Sequence, residues 1–194
     1  MDVKLILQIV GVVLGLLYLW LEYKADIRLW IVGLIMPVVH GVLYFKSGLY
    51  ADCSMQVYYV LAGLYGLAVW RRGRKESSGG GKSLEIGHTP LRTVPLLLIA
   101  YAVLHLAIYF VLITFTNSTV PFWDSMTTAM CIVAYWMLSR KYAEQWLVWL
   151  AVDAVTVGLY VYKGIPLTAG LYAIYCILAV AGYCRWLKVC RSGC

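Results

Sequence analysis

Charge is scarce in this sequence. Lys, Arg, Asp and Glu together make up 13% of its 194 residues, about half the 25% carried by an average soluble domain. That scarcity excludes an ordinary water-soluble domain. The 63% of hydrophobic residues and the mean hydropathy of +0.81 point the same way. Recognisable catalytic signatures are absent too: no Gly-x-Ser-x-Gly, His-Glu-x-x-His, phosphate loop or dinucleotide fingerprint occurs. An enzyme reading therefore finds no footing, and no cofactor is expected. The six cysteines, at 53, 131, 176, 184, 190 and 194, form no Cys-x-x-Cys pair. They read as reduced thiols packing like small apolar groups. The first apolar stretch has no A-x-A-like cleavage site and ends in LEYKAD, so it reads as a retained helix rather than a signal peptide.

Long apolar runs are plentiful. A bilayer core takes about 20 mostly apolar residues per helical span, and seven such spans are expected, near 5–22, 29–45, 53–70, 94–115, 125–139, 145–162 and 167–187. The runs are continuous rather than alternating, which favours helices over a barrel. The fold class expected is an all-α integral membrane protein with seven transmembrane helices. A retinal-binding reading fails, because the last span has lysine only at its end, at Lys188.

Positive charge sorts by loop. Thirteen of the sixteen Lys and Arg residues fall in one set of loops, and only Lys4, Lys46 and Lys163 in the other. By the positive-inside rule the N-terminus is outside and the C-terminus cytoplasmic, which an odd number of spans satisfies. The net charge of +7 is then a matter of topology, with the lipid bilayer as partner and no nucleic acid. Residues 71–93, RRGRKESSGGGKSLEIGHTPLRT, read as a flexible cytoplasmic loop in which His88 has no special role.

The flanks of that loop look duplicated. GVLYFKSGLY (41–50) and GLYVYKGIPL (158–167) align at an offset of 117, which also carries Tyr58 onto Tyr175. Two triple-helix repeats can point the same way only if one span lies between them. A 3+1+3 arrangement of parallel repeats results, like that of SWEET sugar transporters, with the substrate site at the repeat interface. The segments expected are a first repeat at 1–70, the loop at 71–93, a connector helix at 94–115, a second repeat at 122–188 and a cytoplasmic tail at 189–194. His105 on the connector is assigned to packing.

Polar residues inside the spans are the candidate site. In EQWLVWLAVDAV (144–155), helical spacing puts Trp146, Trp149, Asp153, Thr156 and Tyr160 on one face. A charge at mid-span costs about 2.5–3.5 kcal/mol, so it usually faces a cavity, partner or pathway. In the first repeat, Gln56, Tyr59, Gly63 and Gly66 share a face. The amide needs a partner in hydrocarbon, while the glycines suit close helix packing. Asp52 and Asp124 read as helix starts, Glu22 as interfacial, and His40, beside Pro37, as a residue near a bend.

These residues resemble a known family. FWDSMTTAMCIVAYWMLSRKYAEQWLVWLAVDAVTVGLYVYKG, followed by LTAGLYAIYCILAVAGYCRW, together with GLYADCSMQVYYVLAGLYGLAVW in the first half, is similar to the PnuC family of bacterial vitamin transporters. The resemblance covers nearly the whole chain outside 71–93. It implies a SWEET-like seven-helix core in the bacterial cytoplasmic (inner) membrane and facilitated diffusion of a vitamin precursor. It also implies a cytoplasmic kinase that phosphorylates and so retains the imported compound, and a homo-oligomer. Nicotinamide riboside names the family, and related members carry thiamine or riboflavin. By position, the family's tryptophan pair falls on Trp146 and Trp149, and its Asn-x-x-Tyr motif on Gln56 and Tyr59. Asp153 stands where nicotinamide riboside carriers often have asparagine, and Tyr135 where they often have glutamine. The expected ligand stacks on the tryptophans, bonds Gln56 and Tyr59, and sets its charge against Asp153. A SWEET-like sugar carrier and a non-transporting scaffold or receptor are the competing readings.

Overall fold

The computed structural model describes residues 3–46, 50–78, 84–116, 118–162, 164 and 166–192. Those residues form seven α-helices: α1 (Val3–Tyr23), α2 (Arg28–Lys46), α3 (Tyr50–Ser78), α4 (Val94–Phe115), α5 (Pro121–Ser139), α6 (Gln145–Tyr162) and α7 (Pro166–Ser192). Each expected span is a helix. Among the described residues, α4, α6 and Ala169–Ser192 of α7 are long and apolar enough to cross a membrane. Lys163 lies outside the described residues, as do the side chains of His40, Lys46 and Asp52.

Three boundaries differ from expectation by more than three residues, one of them the end of α7, which runs to Ser192 rather than stopping near 187 and so takes in most of the expected tail. Helix α3 runs on to Ser78, into the stretch read as loop, because Arg, Lys and Glu are good helix formers once a helix is under way. Helix α5 begins at Pro121 rather than near 125, with proline in its first turn and Asp124 there as well. Both suit a helix start, where the first N–H groups lack partners and the dipole favours a carboxylate.

The chain divides into two compact units, Met1–Leu84 and Glu85–Cys194. In the first, α1 packs on α2 and α2 on α3; in the second, α4 packs on α5, α5 on α6 and α6 on α7. Helix α4 has no fully buried residue. His105 ties it to α5: its Nδ1 lies 3.1 Å from Ser125 Oγ, and its ring stacks on Tyr101 and meets the edge of Phe122. The packing role expected of His105 is the one it has.

Each unit contains the same helical corner. Between α1 and α2 the N–H groups of Lys24, Ala25 and Asp26 donate to the carbonyls of Trp20, Glu22 and Leu21. Between α5 and α6 those of Arg140, Lys141 and Tyr142 donate to Trp136, Leu138 and Met137. Ala25 and Lys141 both take a left-handed backbone, with φ of 52° and 56°. Lys24 lies over the Trp20 ring as Arg140 lies over Trp136. Beyond the corner, Trp30 meets Trp70 edge-on at 5.7 Å and covers Gly66; Trp146 meets Trp186 edge-on at 5.9 Å and covers Gly182. All these pairs are 116 positions apart. The geometric register of the duplication is thus one residue shorter than the 117 of the loop-side match, and on a helix one residue turns a side chain by about 100°.

The end of the inter-unit segment is pinned rather than free. Gly87 N–H donates to Lys141 O, and Ala143 N–H to Gly87 O. The Glu144 carboxylate holds His88 Nδ1 at 2.7 Å and accepts from the Thr89 N–H and hydroxyl at 2.8 Å. Cys190 Sγ reaches Ile86 O at 3.4 Å. His88, expected as an unengaged loop residue, is half of this latch. Glu22, expected at the membrane surface, is instead 2% exposed.

Candidate functional site

Helix α6 presents its aromatic face to two different neighbours. Trp146 turns toward α7, 2% exposed, with its indole over the bare backbone of Gly182. Trp149, one turn on, turns toward α5 and meets the Tyr135 ring edge-on at 5.9 Å. Sequence spacing groups the two tryptophans, but the packing separates them. Trp146 occupies the same seat that Trp30 has in the first unit. Trp149 has Gly33 at its 116-register equivalent and so no such counterpart. The indole N–H groups of both Trp146 and Trp149 are buried without a hydrogen-bond partner among the described residues. A buried donor left unmade costs roughly 1–3 kcal/mol.

Asp153 follows Trp149 by one turn, near the middle of α6, and is 8% exposed. It makes no hydrogen bond or ion pair among the described residues. Cys131 of α5 and Tyr172, Tyr175 and Cys176 of α7 lie within electrostatic reach of its carboxyl. Tyr160, further along α6, stacks on Tyr172 at 5.5 Å, and Tyr172 meets Tyr175 edge-on at 5.5 Å. Thr156, the remaining member of the expected face, donates its hydroxyl to Val152 O at 2.7 Å and is spent within its own helix.

The second unit therefore brings Trp149, Tyr135, Asp153 and Tyr160 into one aromatic, singly acidic neighbourhood. Gln56 and Tyr59 belong to the first unit, both half-buried on α3, with the Tyr59 ring against Tyr58. The glycines on their face serve helix packing: a methyl at Gly63 would lie 2.9 Å from Leu34, and one at Gly66 would meet the Trp30 ring.

Sequence reasoning missed Tyr172, Tyr175 and Cys131. A register of 116 supplies the signal for the tyrosines, since it carries Gln56 onto Tyr172 and Tyr59 onto Tyr175. The register of 117 hid the correspondence by matching Tyr58 instead. What the arrangement offers chemically is recognition: flat rings to stack on, unmet donors, and one carboxylate for a cation.

A family model described as nicotinamide mononucleotide transporter matches residues 5–188. The chain is similar to the nicotinamide riboside transporter PnuC of Escherichia coli (strain K12), 26% identical over 210 residues covering 96% of this chain and 87% of that protein. It is also similar to the riboflavin/roseoflavin transporter RibM of Streptomyces davaonensis, 27% identical over 180 residues, 92% of this chain and 83% of that one. Its fold resembles the crystal structure of the vitamin B3 transporter PnuC with a TM-score of 0.68 at 24% identity, covering 93% of this chain and 80% of that one.

Proposed function

This chain belongs to the nicotinamide mononucleotide transporter family, and we propose that its cargo is a vitamin precursor with a fixed positive charge, nicotinamide riboside. It is a membrane transporter, not an enzyme. One observation carries the choice of cargo: Asp153 is buried without a protein partner among the described residues, beside Trp149. A buried carboxylate needs a counter-charge, and the pyridinium of nicotinamide riboside supplies one on a ring that stacks on indole. The thiazolium of thiamine meets the same requirement and is the second reading. Riboflavin, the cargo in RibM's name, brings no fixed positive charge and leaves Asp153 unanswered.

In this mechanism the precursor enters from outside and stacks on Trp149, with Asp153 against its charge. Gln56 and Tyr59 are assigned to its polar edge by the family motif alone. The matched corners and Trp–Gly–Trp clusters support two parallel triple-helix repeats with α4 between them, rocking to expose the cytoplasmic side. The charge sorting supports an external N-terminus and a cytoplasmic C-terminus in the inner membrane. Transport is downhill, and a cytoplasmic kinase retains the product by phosphorylation. A homo-oligomer is the assembly the family resemblance favours.

The test is tryptophan fluorescence of purified protein titrated with nicotinamide riboside, thiamine and riboflavin, on wild type and Asp153→Asn, with uptake into liposomes beside it. Saturable quenching by nicotinamide riboside that weakens at least tenfold in Asp153→Asn is the expected result, a charge-assisted contact being worth at least that factor. Equal binding by the two proteins, or quenching by riboflavin alone, overturns the proposal. Binding without flux into liposomes restores the receptor reading.

A further inference from the structure

The second unit holds hydroxyls that its own helices cannot satisfy. A Ser or Thr in a helix turns its hydroxyl back to a carbonyl about one turn earlier, as Thr127, Thr128 and Thr156 do on α5 and α6. A tyrosine cannot, because its ring carries the hydroxyl too far from its own backbone. Tyr160, Tyr172 and Tyr175 are all half-buried, and none of their hydroxyls has a hydrogen-bond partner among the described residues. A polar group left without a partner in an apolar span is unfavourable, and each such group calls for a reason. Packing alone does not supply one, since phenylalanines would pack α6 on α7 without that cost.

These hydroxyls converge. Tyr160 stacks on Tyr172 with ring centroids 5.5 Å apart, and Tyr172 meets Tyr175 edge-on at 5.5 Å. The Tyr172 hydroxyl lies within electrostatic reach of Tyr160, Tyr175 and the Asp153 carboxyl, and Tyr175 likewise reaches Asp153. Along α6, Asp153 stands four residues beyond Trp149 and seven short of Tyr160, about 6 Å and about 10 Å along the axis. The α6–α7 face thus runs indole, carboxylate, phenols. A phosphate does not fit these groups: residues 121–139, 145–162 and 166–184 contain no Lys, Arg or His, so it would meet Asp153 without a cation. An aliphatic chain would leave the hydroxyls unmet. A sugar diol answers them, because each of its hydroxyls donates and accepts as a phenol does.

We propose that Tyr172 and Tyr175, with Tyr160 beyond them, form a sugar subsite, so that the cargo is a flat cationic ring carrying a polyhydroxyl group, its ring on Trp149 and Asp153 and its hydroxyls on the phenols. The inference rests on the cargo reading above and deepens it. It requires the riboside rather than the bare aromatic cation. It also separates the riboside from thiamine, whose thiazolium carries a single hydroxyethyl arm.

The experiment titrates purified full-length protein, by tryptophan fluorescence, with two probes. One is nicotinamide riboside; the other is the N-methylpyridinium analogue of nicotinamide, the same ring cation without its sugar. The riboside is expected to bind roughly tenfold more tightly. Tyr172→Phe and Tyr175→Phe keep the ring contacts and remove one hydroxyl each. Each should weaken the riboside about three- to tenfold and leave the methyl analogue within about twofold of wild type. That ratio of affinities is the readout a merely structural role would not move. Asp153→Asn should weaken both ligands alike. Three results overturn the proposal: equal affinity of the wild type for the two ligands, losses in the tyrosine variants shared by both ligands, or no loss in either variant. The arms keep the two readings apart. If Asp153→Asn weakens both ligands while the sugar makes no difference, the subsite fails alone. If both ligands bind Asp153→Asn as they bind wild type, or neither binds the wild type, the cargo reading fails and the subsite with it.

Discussion

The seating of Trp146 on Gly182 makes a sharp demand on one substitution. A methyl added at Gly182 would sit 2.6 Å from Trp146 Cε2 and 2.7 Å from both Cδ2 and Cζ2. These are atoms of a rigid bicyclic ring, itself 2% exposed and braced by Trp186. Real Cβ contacts do not come that close, so the indole must move and its packing against α7 must open. Overpacking of this kind costs about 1–3 kcal/mol. Against it stands the gain from replacing glycine inside a helix, about 1 kcal/mol. The net is a loss of up to about 2 kcal/mol, and a protein of this size shifts its midpoint by about 2–4 °C per kcal/mol. Gly170 on the same helix is the control, because a methyl there meets nothing within 4 Å and the propensity gain stands alone. In detergent-purified protein, Gly170→Ala should melt a few degrees higher and Gly182→Ala a few degrees lower than wild type. Trp146→Phe made in the Gly182→Ala background should recover part of the loss, since a smaller ring leaves room; the coupling is read from the double-mutant cycle. Equal melting of Gly182→Ala and Gly170→Ala, or strict additivity in the cycle, would refute the seating of Trp146.

Three other outcomes are expected. Trp149→Phe keeps an aromatic face but loses the unmet indole N–H, so ligand affinity should fall roughly tenfold in fluorescence titration with little change in unfolding temperature; unchanged affinity would detach Trp149 from the ligand. Tyr59→Phe should weaken ligand binding by about the same factor and its neighbour Tyr58→Phe should not, and the reverse ranking would refute the register of 116. The Glu144 carboxyl titrates below 4.5 in the folded protein, so its contribution to stability is complete above its unfolded value and is lost as pH falls through the lower, folded value. Unfolding temperature should therefore drop on acidification below about pH 4.5, and Glu144→Gln should flatten that drop, as measured by scanning fluorimetry from pH 3.5 to 8; an identical acid profile in the variant would separate Glu144 from the latch.

The helices were legible because each is a continuous apolar run, and lipid leaves the backbone few alternatives. The ends were harder to read. The α3 terminus is hard to place from sequence because RRGRKESS combines loop-like polarity with helix-forming side chains. The latch was invisible for a different reason: Glu144 meets His88 and Thr89 across more than fifty residues, and no local pattern announces such a pair. The seat of Trp146 depends in the same way on Gly182, which reads in sequence as one more small residue in a membrane helix. Asp153 was legible because a charge in an apolar run is costly wherever the run folds. Its neighbours Tyr172 and Tyr175 were not, because sixteen tyrosines dilute any single one, and only the geometric register singles out these two.

That register also separates what the two units share from what they do not. They share the corner after the first helix, the left-handed residue within it, the cation over tryptophan, and the tryptophan seated on glycine. All of these sit toward the basic ends of the helices and fix how three helices pack. Deeper in the helices the correspondence breaks at the positions proposed for the ligand. Trp149 corresponds to Gly33, where the Tyr18 ring lies so close that an added methyl would be 2.9 Å from it. Asp153 corresponds to Pro37, which offers neither charge nor N–H. The first unit thus sets the Tyr18 ring against Gly33, whereas the second carries an indole and, one turn on, a carboxylate at the corresponding positions. A duplicated scaffold ordinarily implies two equivalent sites. On the proposed reading, in which Asp153 and Trp149 recognise a cationic ring, the second unit alone carries that pair at these positions, and each chain should bind one such ligand.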